Sequence, residues 1–204
     1  MRTIAVALLS ILMQAAPAML PPAYPRAGAT KILDNDRVQV WNIAWLKDQP
    51  SPLHRHVYDL VGVYYEPGDR MIISPEGARR PVSTKAWEIA FQRAGLTHIE
   101  EGVSGAPLRA AFVEMKQTGS FGTAGPSSAP VFSGQGATQK LDNDRVTVWE
   151  FTRAPAATSH QHSRDAVVVA IDGDSPRATW VPQGTVHSDE GTGHASRVYV
   201  FEMK

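Results

Sequence analysis

Short runs of β-branched and aromatic residues recur along this chain, and several of them alternate with polar residues. The runs are Arg37–Trp45, Leu60–Tyr65, Arg145–Phe151, Ala166–Ile171 and Arg197–Met203. Successive side chains of a strand point to opposite faces, so alternating and continuous apolar runs are typical of strands buried on one or both faces. Segments rich in Gly, Pro and Asp separate them and indicate turns. Short strands at this spacing predict an all-β sandwich or barrel.

One strand-forming block occurs twice. Leu33–Trp41 and Leu141–Trp149 are identical at eight of nine positions, and Val113–Lys116 matches Phe201–Lys204 near the end of each copy. Two copies are too few for a solenoid, so the repeat indicates a duplicated domain. We place the two domains at residues 31–116 and 140–204.

Two segments break the symmetry of the copies. Residues 117–139 lie between them and are rich in Gly, Ser, Ala and Pro, a composition that buries little apolar surface and predicts a linker. An insertion at about 75–93 is present only in the first copy. Within it, Thr84–Arg93 (TKAWEIAFQR) is the one segment predicted to be helical.

The first eighteen residues have the pattern of a secretory signal peptide. Arg2 supplies a positive charge, Ile4–Met13 forms an apolar run, and Ala16–Ala18 places small residues at the positions that signal peptidase reads. The run is shorter than the roughly 20 apolar residues that span a bilayer. A buried N-terminal helix or strand is the alternative. We predict that residues 1–18 are removed, which leaves a periplasmic or secreted protein without a membrane contact.

Composition restricts the chemistry that is available. The 20 Lys and Arg balance the 20 Asp and Glu, which gives no reason to expect nucleic acid as a partner. Cysteine is absent, so disulfides, thiolate ligands and a cysteine nucleophile are excluded, and a metal site must use nitrogen and oxygen ligands. No nucleophile-elbow, P-loop or dinucleotide-binding motif is present.

Six of the seven histidines fall into two equivalent triplets, each an H-x-H pair followed by a third histidine. The triplets are His54, His56 and His98 in the first copy, and His160, His162 and His187 in the second. Residues i and i+2 of a strand share a face, so each pair can point into one barrel. Imidazole nitrogens suit divalent Fe, Mn, Ni, Cu and Zn, and three protein ligands leave positions open for water or substrate. We predict that each triplet binds one divalent transition metal ion, whose identity stays open.

These motifs resemble those of the cupin superfamily. His160–His162 followed by Pro182–His187 (PQGTVH) looks like the family's paired H-x-H and P-x-G-x-x-H motifs, and His54–His56 with Gly95–His98 is similar without the proline. The resemblance covers both copies. It implies an all-β fold of two tandem cupin-type, jelly-roll-like β-barrels joined by the Gly/Ser/Pro-rich linker. It also implies a three-histidine metal site of the kind that some cupin dioxygenases have.

The copies depart from the family at the usual fourth ligand, a glutamate four or five residues after the second histidine. The corresponding positions are Leu60, Val61, Ala166 and Val167. The nearest repeated carboxylates, Asp59 and Asp165, fall on the opposite face by strand periodicity. We expect these two aspartates to orient the ligands or to lie on the surface, with metal ligation as the alternative.

Other residues of the copies are predicted to be structural. The repeated Asp/Asn segment is expected to form a turn before a strand, with Arg37 and Arg145 pairing with nearby acids. Five aromatic residues of the first copy are expected in the barrel core or lining: Trp45, Tyr58, Tyr64, Tyr65 and Trp87. Four acids that follow the third histidines are expected in solvated turns: Glu100, Glu101, Asp189 and Glu190. Glu114 and Glu202 fall in terminal strands and receive no role.

Two functions remain in competition. The first is an exported, metal-dependent, dioxygenase-like enzyme that acts on a small molecule, for which no catalytic side chain can be named. The alternative is a non-catalytic module that binds a metal or small ligand, and the missing glutamates favour it. A third possibility is a structural bicupin that has lost its metal, but the intact histidine triplets argue against it. The expected partner is a small-molecule substrate or ligand, and homo-oligomerisation stays open.

Overall fold

The computed structural model describes residues 19–116, 137–152, 159–187 and 195–204. The predicted signal peptide, most of the predicted linker, Asp189 and Glu190 lie outside the described residues. Within the described ranges the chain forms sixteen strands and no helix. None of these segments therefore contains a helix that could cross a membrane.

The first barrel is built from nine strands. Their bounds are β1 (Ala29–Asp34), β2 (Val38–Trp45), β3 (His54–Arg55), β4 (Asp59–Glu66), β5 (Gly68–Ile73), β6 (Arg79–Thr84), β7 (Ile89–Gln92), β8 (Thr97–Gly102) and β9 (Leu108–Met115). One sheet has the order β1-β2-β9-β4-β7 and the other the order β3-β8-β5-β6, and all strand pairs within them are antiparallel. The two sheets enclose a cavity, which the histidines border.

The second barrel has seven described strands. Their bounds are β10 (Ala137–Asp142), β11 (Val146–Phe151), β12 (His160–Gln161), β13 (Ala166–Ile171), β14 (Arg177–Val181), β15 (Val186–His187) and β16 (Arg197–Met203). The order β10-β11-β16-β13-β14 repeats that of the first large sheet, and β12 pairs with β15 as β3 pairs with β8. The first pair of each large sheet even carries a register irregularity at the same place, between Lys31 and Leu33 and between Gln139 and Leu141. The all-β fold of two tandem barrels is confirmed, and β10 takes in the last three residues that were assigned to the linker.

The turn that opens each copy is built by a single asparagine. The Asn35 side-chain oxygen accepts the backbone N–H groups of Arg37 and Val38 at 2.8 and 2.9 Å. Asn143 does the same for Arg145 and Val146 at 2.8 and 3.0 Å. These Asx-type hydrogen bonds confirm the turn that the repeated segment predicts before its strand.

The helix predicted at Thr84–Arg93 is wrong. Strand β6 ends at Thr84, a turn follows, and β7 pairs with β4 through partners such as Val63 and Ile89. Ile89 packs against the core between the barrels, and Ala90 packs against the core of the first barrel. Alternate residues thus have apolar partners on opposite sides, and this packing outweighs the helical pattern of the isolated segment.

The two barrels pack against each other through the outer faces of their five-stranded sheets. Val40 and Val61 of the first barrel and Val148 and Val167 of the second are fully buried members of one cluster. Separate clusters fill the barrel interiors, around Trp41, Ile43 and Phe112 in the first and Trp149, Phe151 and Val200 in the second. Both faces of these sheets are therefore buried, which explains why β13 is apolar at every position rather than at alternate ones.

Candidate metal centres

The first histidine triplet is assembled by one short strand pair. His54 on β3 and His98 on β8 are direct cross-strand partners, and His56 follows β3 on the same side. The Nε2 atom of His56 lies 3.3 Å from Nε2 of His54 and 3.1 Å from Nε2 of His98. All three residues are buried.

These separations fit a single ion. Nitrogens that each lie about 2.0–2.1 Å from one metal, at angles near 90–110°, are roughly 2.8–3.4 Å apart. The three side chains could therefore hold a metal ion, as could those of the second triplet.

Backbone hydrogen bonds on the side away from the converging nitrogens orient this triplet. His54 Nδ1 donates to the carbonyl oxygen of Pro52 at 2.9 Å, which leaves the lone pair on the Nε2 that faces the other rings. The His56 carbonyl accepts the N–H of Gly95 at 2.7 Å, and Gly95 has a φ of +100°. A glycine suits this position because side chains with a Cβ rarely adopt that conformation.

Burial keeps the three imidazoles neutral. Desolvation lowers the pKa of His54, lowers that of His56 to about 3 and lowers that of His98 to about 4. The neutral imidazole is the form that binds a metal. At neutral pH the site needs no loss of protons before it accepts an ion.

Glu100 is buried beside this triplet, so the solvated turn predicted for it is wrong. It lies two residues after His98 on β8 and therefore shares the inward face of that strand. Its carboxylate oxygens lie 3.2 Å from Arg26 Nη2 and 3.5 Å from Arg70 Nη1. Burial opposes ionisation, but the two guanidinium groups outweigh it and lower the pKa of Glu100 to about 2. The i, i+2 spacing from His98 was the sequence signal that could have located this residue.

A cavity of about 510 Å³ opens beside the first triplet. His56, His98 and Glu100 border it, together with Arg70 and Gln92. The rest of the wall is mainly apolar or aromatic: Tyr24, Leu60, Tyr64, Ile72, Val82 and Phe112. Tyr64 thus lines the cavity, whereas Tyr65 and Trp87 pack into the core between the barrels.

The second triplet repeats the arrangement. His160 and His187 are cross-strand partners, and the ring centroid of His162 lies 5.3 and 5.1 Å from theirs. Gly184, with a φ of +74°, donates its N–H to the His162 carbonyl at 2.9 Å. Segments 153–158 and 188–194, next to this triplet in sequence, lie outside the described residues.

Each barrel has a buried glutamate on its last strand, but only in the second barrel does its carboxylate lie near the middle histidine of the triplet. Glu202 accepts the indole N–H of Trp149 at 2.9 Å, and its other oxygen lies 3.4 Å from His162 Nδ1. Its counterpart Glu114 accepts the indole N–H of Trp41 at 2.9 Å and also bonds to Gln39. Among the described residues, Nδ1 of the first barrel's middle histidine has no hydrogen-bond partner. The terminal-strand glutamates thus have structural partners that the sequence did not suggest.

The repeated aspartates are not part of either candidate ligand group. Asp59 Oδ1 accepts the N–H of Ala94, and Asp165 Oδ1 accepts the N–H of Gln183, both at 2.9 Å. Each hydrogen bond holds the turn that leads to the third histidine of its own barrel. This geometry corresponds to the orienting role expected of these residues.

No family model matches the sequence, and no curated protein matches it. Among solved structures, AerE from Microcystis aeruginosa has a TM-score of 0.50 at 11% identity, with 91% of this chain and 99% of that chain covered. A cupin 2 conserved barrel domain protein from Leptotrichia buccalis has a TM-score of 0.49 at 13% identity, covering 86% and 88%. A cupin domain from Bordetella pertussis has a TM-score of 0.41 at 23% identity, covering 49% of this chain and 99% of that chain.

Sequence identities this low establish similarity of fold only. The similarity to AerE extends over both barrels. The strand orders repeat between the halves, and each half brings an H-x-H pair and a third histidine together. The chain therefore consists of two tandem β-barrels, in a fold shared with AerE over both halves, and each barrel carries a three-histidine site able to hold a metal ion.

Proposed function

We propose that this chain is an exported, metal-dependent enzyme that oxidises a small molecule, with dioxygenase-like chemistry, at His54, His56 and His98. One observation carries the proposal: three neutral imidazoles converge at the wall of a cavity of about 510 Å³. A cavity of this size suits a small organic molecule. A redox-active divalent metal held there would supply Lewis-acid and electron-transfer chemistry.

The protein's own residues supply binding, orientation and exclusion of water. The hydrogen bonds at His54 and Gly95 fix the ligand set before an ion arrives, which reduces the cost of assembling it. The apolar wall, with Leu60, Ile72 and Phe112, lowers the local polarity and holds an apolar substrate next to the imidazoles.

The ionisable groups that border this cavity are poorly matched to acid–base catalysis. Burial raises the pKa of Tyr64 to about 12, whereas the pKa of Glu100 is about 2. A general acid or base works best with a pKa near the operating pH. This mismatch supports oxidation at a bound metal over hydrolysis or isomerisation by side chains.

A second candidate function is non-catalytic binding of a metal or small ligand. Neither triplet includes a carboxylate among the described residues, in line with the missing family glutamate. A site without that ligand has less to tune its reactivity, which supports storage or sensing. Turnover separates the two candidates.

The test is metal analysis combined with oxygen uptake. Wild-type protein is expected to hold about two equivalents of metal, one per triplet. The matched double variants His54→Ala/His56→Ala and His160→Ala/His162→Ala should each hold about one. After loading with Fe²⁺, oxygen uptake with a panel of small phenols and carboxylates should vanish in the first variant and persist in the second. Metal binding without uptake for any compound would favour the binding module, and no metal binding would reject both functions.

Export is tested separately. Expression of the full chain with fractionation should place the protein outside the cytoplasm, with Met19 as its first residue. An intact N-terminus starting at residue 1, in the cytoplasmic fraction, would reject this part of the proposal.

A further inference from the structure

Arg70 lines the cavity of the first barrel, and its acidic neighbour Glu100 lies 3.5 Å from Nη1. Arg70 lies on β5, and its Nε and Nη1 atoms are buried without a hydrogen-bond partner among the described residues. The guanidinium group is nevertheless held in place, since it stacks over the rings of Trp45 and Tyr64, each 5.0 Å from its central carbon. A buried donor such as Nε that lacks a hydrogen bond is costly unless a ligand supplies an acceptor.

The buried group formed by Arg26, Arg70 and Glu100 has an excess of one positive charge. Arg79 and Arg80 also line the cavity, but they belong to the exposed part of its wall. Glu100 is the one buried acid between Arg26 and Arg70, and it lies nearer to Arg26 at 3.2 Å than to Arg70 at 3.5 Å. Two guanidinium groups thus share one carboxylate. A single negative charge on a ligand would balance the group.

Gln92 adds a second donor to the same wall. Its Nε2 atom is buried without a hydrogen-bond partner in the described part of the chain, and the residue lines the cavity from the end of β7. Arg70 and Gln92 belong to opposite sheets of the barrel, so their donors approach the cavity from two sides. The remaining wall is largely apolar, as described above.

We propose that this cavity recognises a small carboxylate monoanion with an apolar body, with Arg70 as the residue that binds the carboxylate and Gln92 as a second donor. The inference rests on the proposed function, because it takes the cavity beside the first triplet to be the substrate site. An arginine can meet a carboxylate with two parallel N–H···O bonds, which a neutral amide cannot accept as well. Specificity for charge then comes from the protein and does not require the metal.

The test compares 3-phenylpropionate with its neutral amide, 3-phenylpropanamide, by isothermal titration calorimetry on metal-free protein. We expect the carboxylate to bind at least about tenfold more tightly than the amide, as for a charge-assisted hydrogen bond. Arg70→Gln should abolish that preference and leave the affinity for the amide within about threefold of wild type. Arg80→Gln removes the same charge from an exposed arginine at the cavity wall and should change either affinity by less than about threefold.

Arg70→Lys is the variant to use if Arg70→Gln does not fold. It keeps the charge but loses the paired donors, so carboxylate affinity should fall by about three- to tenfold while the amide is unaffected. Equal affinities for the two probes in wild-type protein would overturn the inference. So would an unaltered preference in the Arg70 variants, or no carboxylate binding up to about 10 mM.

Failure of this inference is distinguishable from failure of the proposed function. Arg70→Gln should retain the metal content of wild-type protein, because Arg70 is not one of the candidate ligands. Metal binding and oxygen uptake without carboxylate preference would reject only the substrate class. Carboxylate preference without metal would reject the enzyme.

Discussion

Arg145, at the start of the second barrel's sheet, places its Nε 2.8 Å from Oδ2 of Asp59 in the first barrel. The reciprocal pair joins Arg37 of the first barrel to Asp165 of the second at 3.1 Å. The two arginines occupy matching positions of the repeat, as do the two aspartates, so the ion pairs are related as in a two-fold symmetric dimer. The sequence predicts that these arginines pair with nearby acids. Both do pair with an acid, but the acid belongs to the opposite barrel and not to the nearby repeated segment.

Each of these aspartates makes a hydrogen bond within its own barrel and an ion pair with the other barrel. One carboxylate oxygen holds the turn before the third histidine of its own barrel, and the other meets the arginine of the other barrel. Burial opposes ionisation of Asp59, but the Ala94 N–H and Arg145 lower its pKa below the usual range. The packing of the barrels and the geometry of the metal sites therefore share the same side chains.

Asp59→Ala should lower both stability and metal affinity at the first site. It removes the carboxylate that pairs with the largely buried Arg145 and frees the turn before His98, so we expect a loss of about 2–4 kcal/mol of unfolding free energy. Asp59→Asn keeps an oxygen for the Ala94 N–H but loses the charge. It should therefore restore metal affinity and not stability.

The measurements are urea unfolding and chelator competition, the latter in the His160→Ala/His162→Ala background to isolate the first site. Asp144→Ala serves as the control, because this exposed residue also pairs across the barrels, with Arg93, and should cost less than about 1 kcal/mol. If Asp59→Ala loses stability with no change in metal affinity, Asp59 does not position the third histidine.

Glu202→Gln should weaken the second metal site selectively. The carboxylate near His162 Nδ1 helps to fix the ring and its proton, and loss of such a partner typically costs about 10–100-fold in metal affinity. Glu114→Gln is the matched control, because Glu114 bonds to Trp41 and Gln39. Chelator competition on each variant gives the two affinities. Equal losses in both variants would contradict a specific role for Glu202.

The metal-free protein should lose stability in mildly acidic solution. Unfolded histidine has a pKa near 6.5, whereas the pKa values of folded His56 and His98 are about 3 and 4. Between these values the unfolded chain binds more protons, so the free energy of unfolding rises with pH. The stabilisation is complete above about pH 6.5 and is lost as pH falls toward 4, with a slope of up to about 2.7 kcal/mol per pH unit for the two groups.

Urea unfolding at half-unit steps from pH 7.5 to 4.5 measures this slope. His56→Gln should reduce the slope by the contribution of about one bound proton. Glu100 contributes to the loss only below about pH 4.5, since its folded pKa is about 2. A flat profile between pH 6.5 and 5 would show that the histidines titrate normally in the folded protein.

Gly62→Ala should strongly destabilise the first barrel. A Cβ at Gly62 would lie 2.3 Å from the Ala111 carbonyl oxygen and 2.8 Å from the Phe112 Cα, and backbone atoms of a central strand cannot easily move away. We expect a loss of more than about 3 kcal/mol, as for severe overpacking. Gly105→Ala, which has open space around it, should change stability by less than about 1 kcal/mol. Thermal and urea unfolding of the pair provide the comparison, and similar values for both would contradict the close approach of the strands.

The sequence by itself determined the strands of the large sheets and the grouping of the six histidines. Both follow from local geometry, because alternate residues of a strand share a face whatever it later packs against. The H-x-H pairs therefore predicted convergence, and the repeat predicted that it happens twice. The same rule applied to His98 and Glu100 would have placed Glu100 in the barrel interior. Because the sequence shows no oppositely charged partner for Glu100, it suggested exposure to solvent instead.

Only the tertiary structure decided which distant residues become partners. Arg26 and Arg70 reach Glu100 from separate segments, and Arg37 and Arg145 find their acids in the opposite barrel. Ile89–Gln92 became a strand because apolar surfaces lie on both sides of it, which a helical pattern in ten residues cannot reveal. Side-chain periodicity is a property of a few consecutive residues, whereas burial and charge pairing depend on strand order and barrel packing, which bring together residues far apart in the chain.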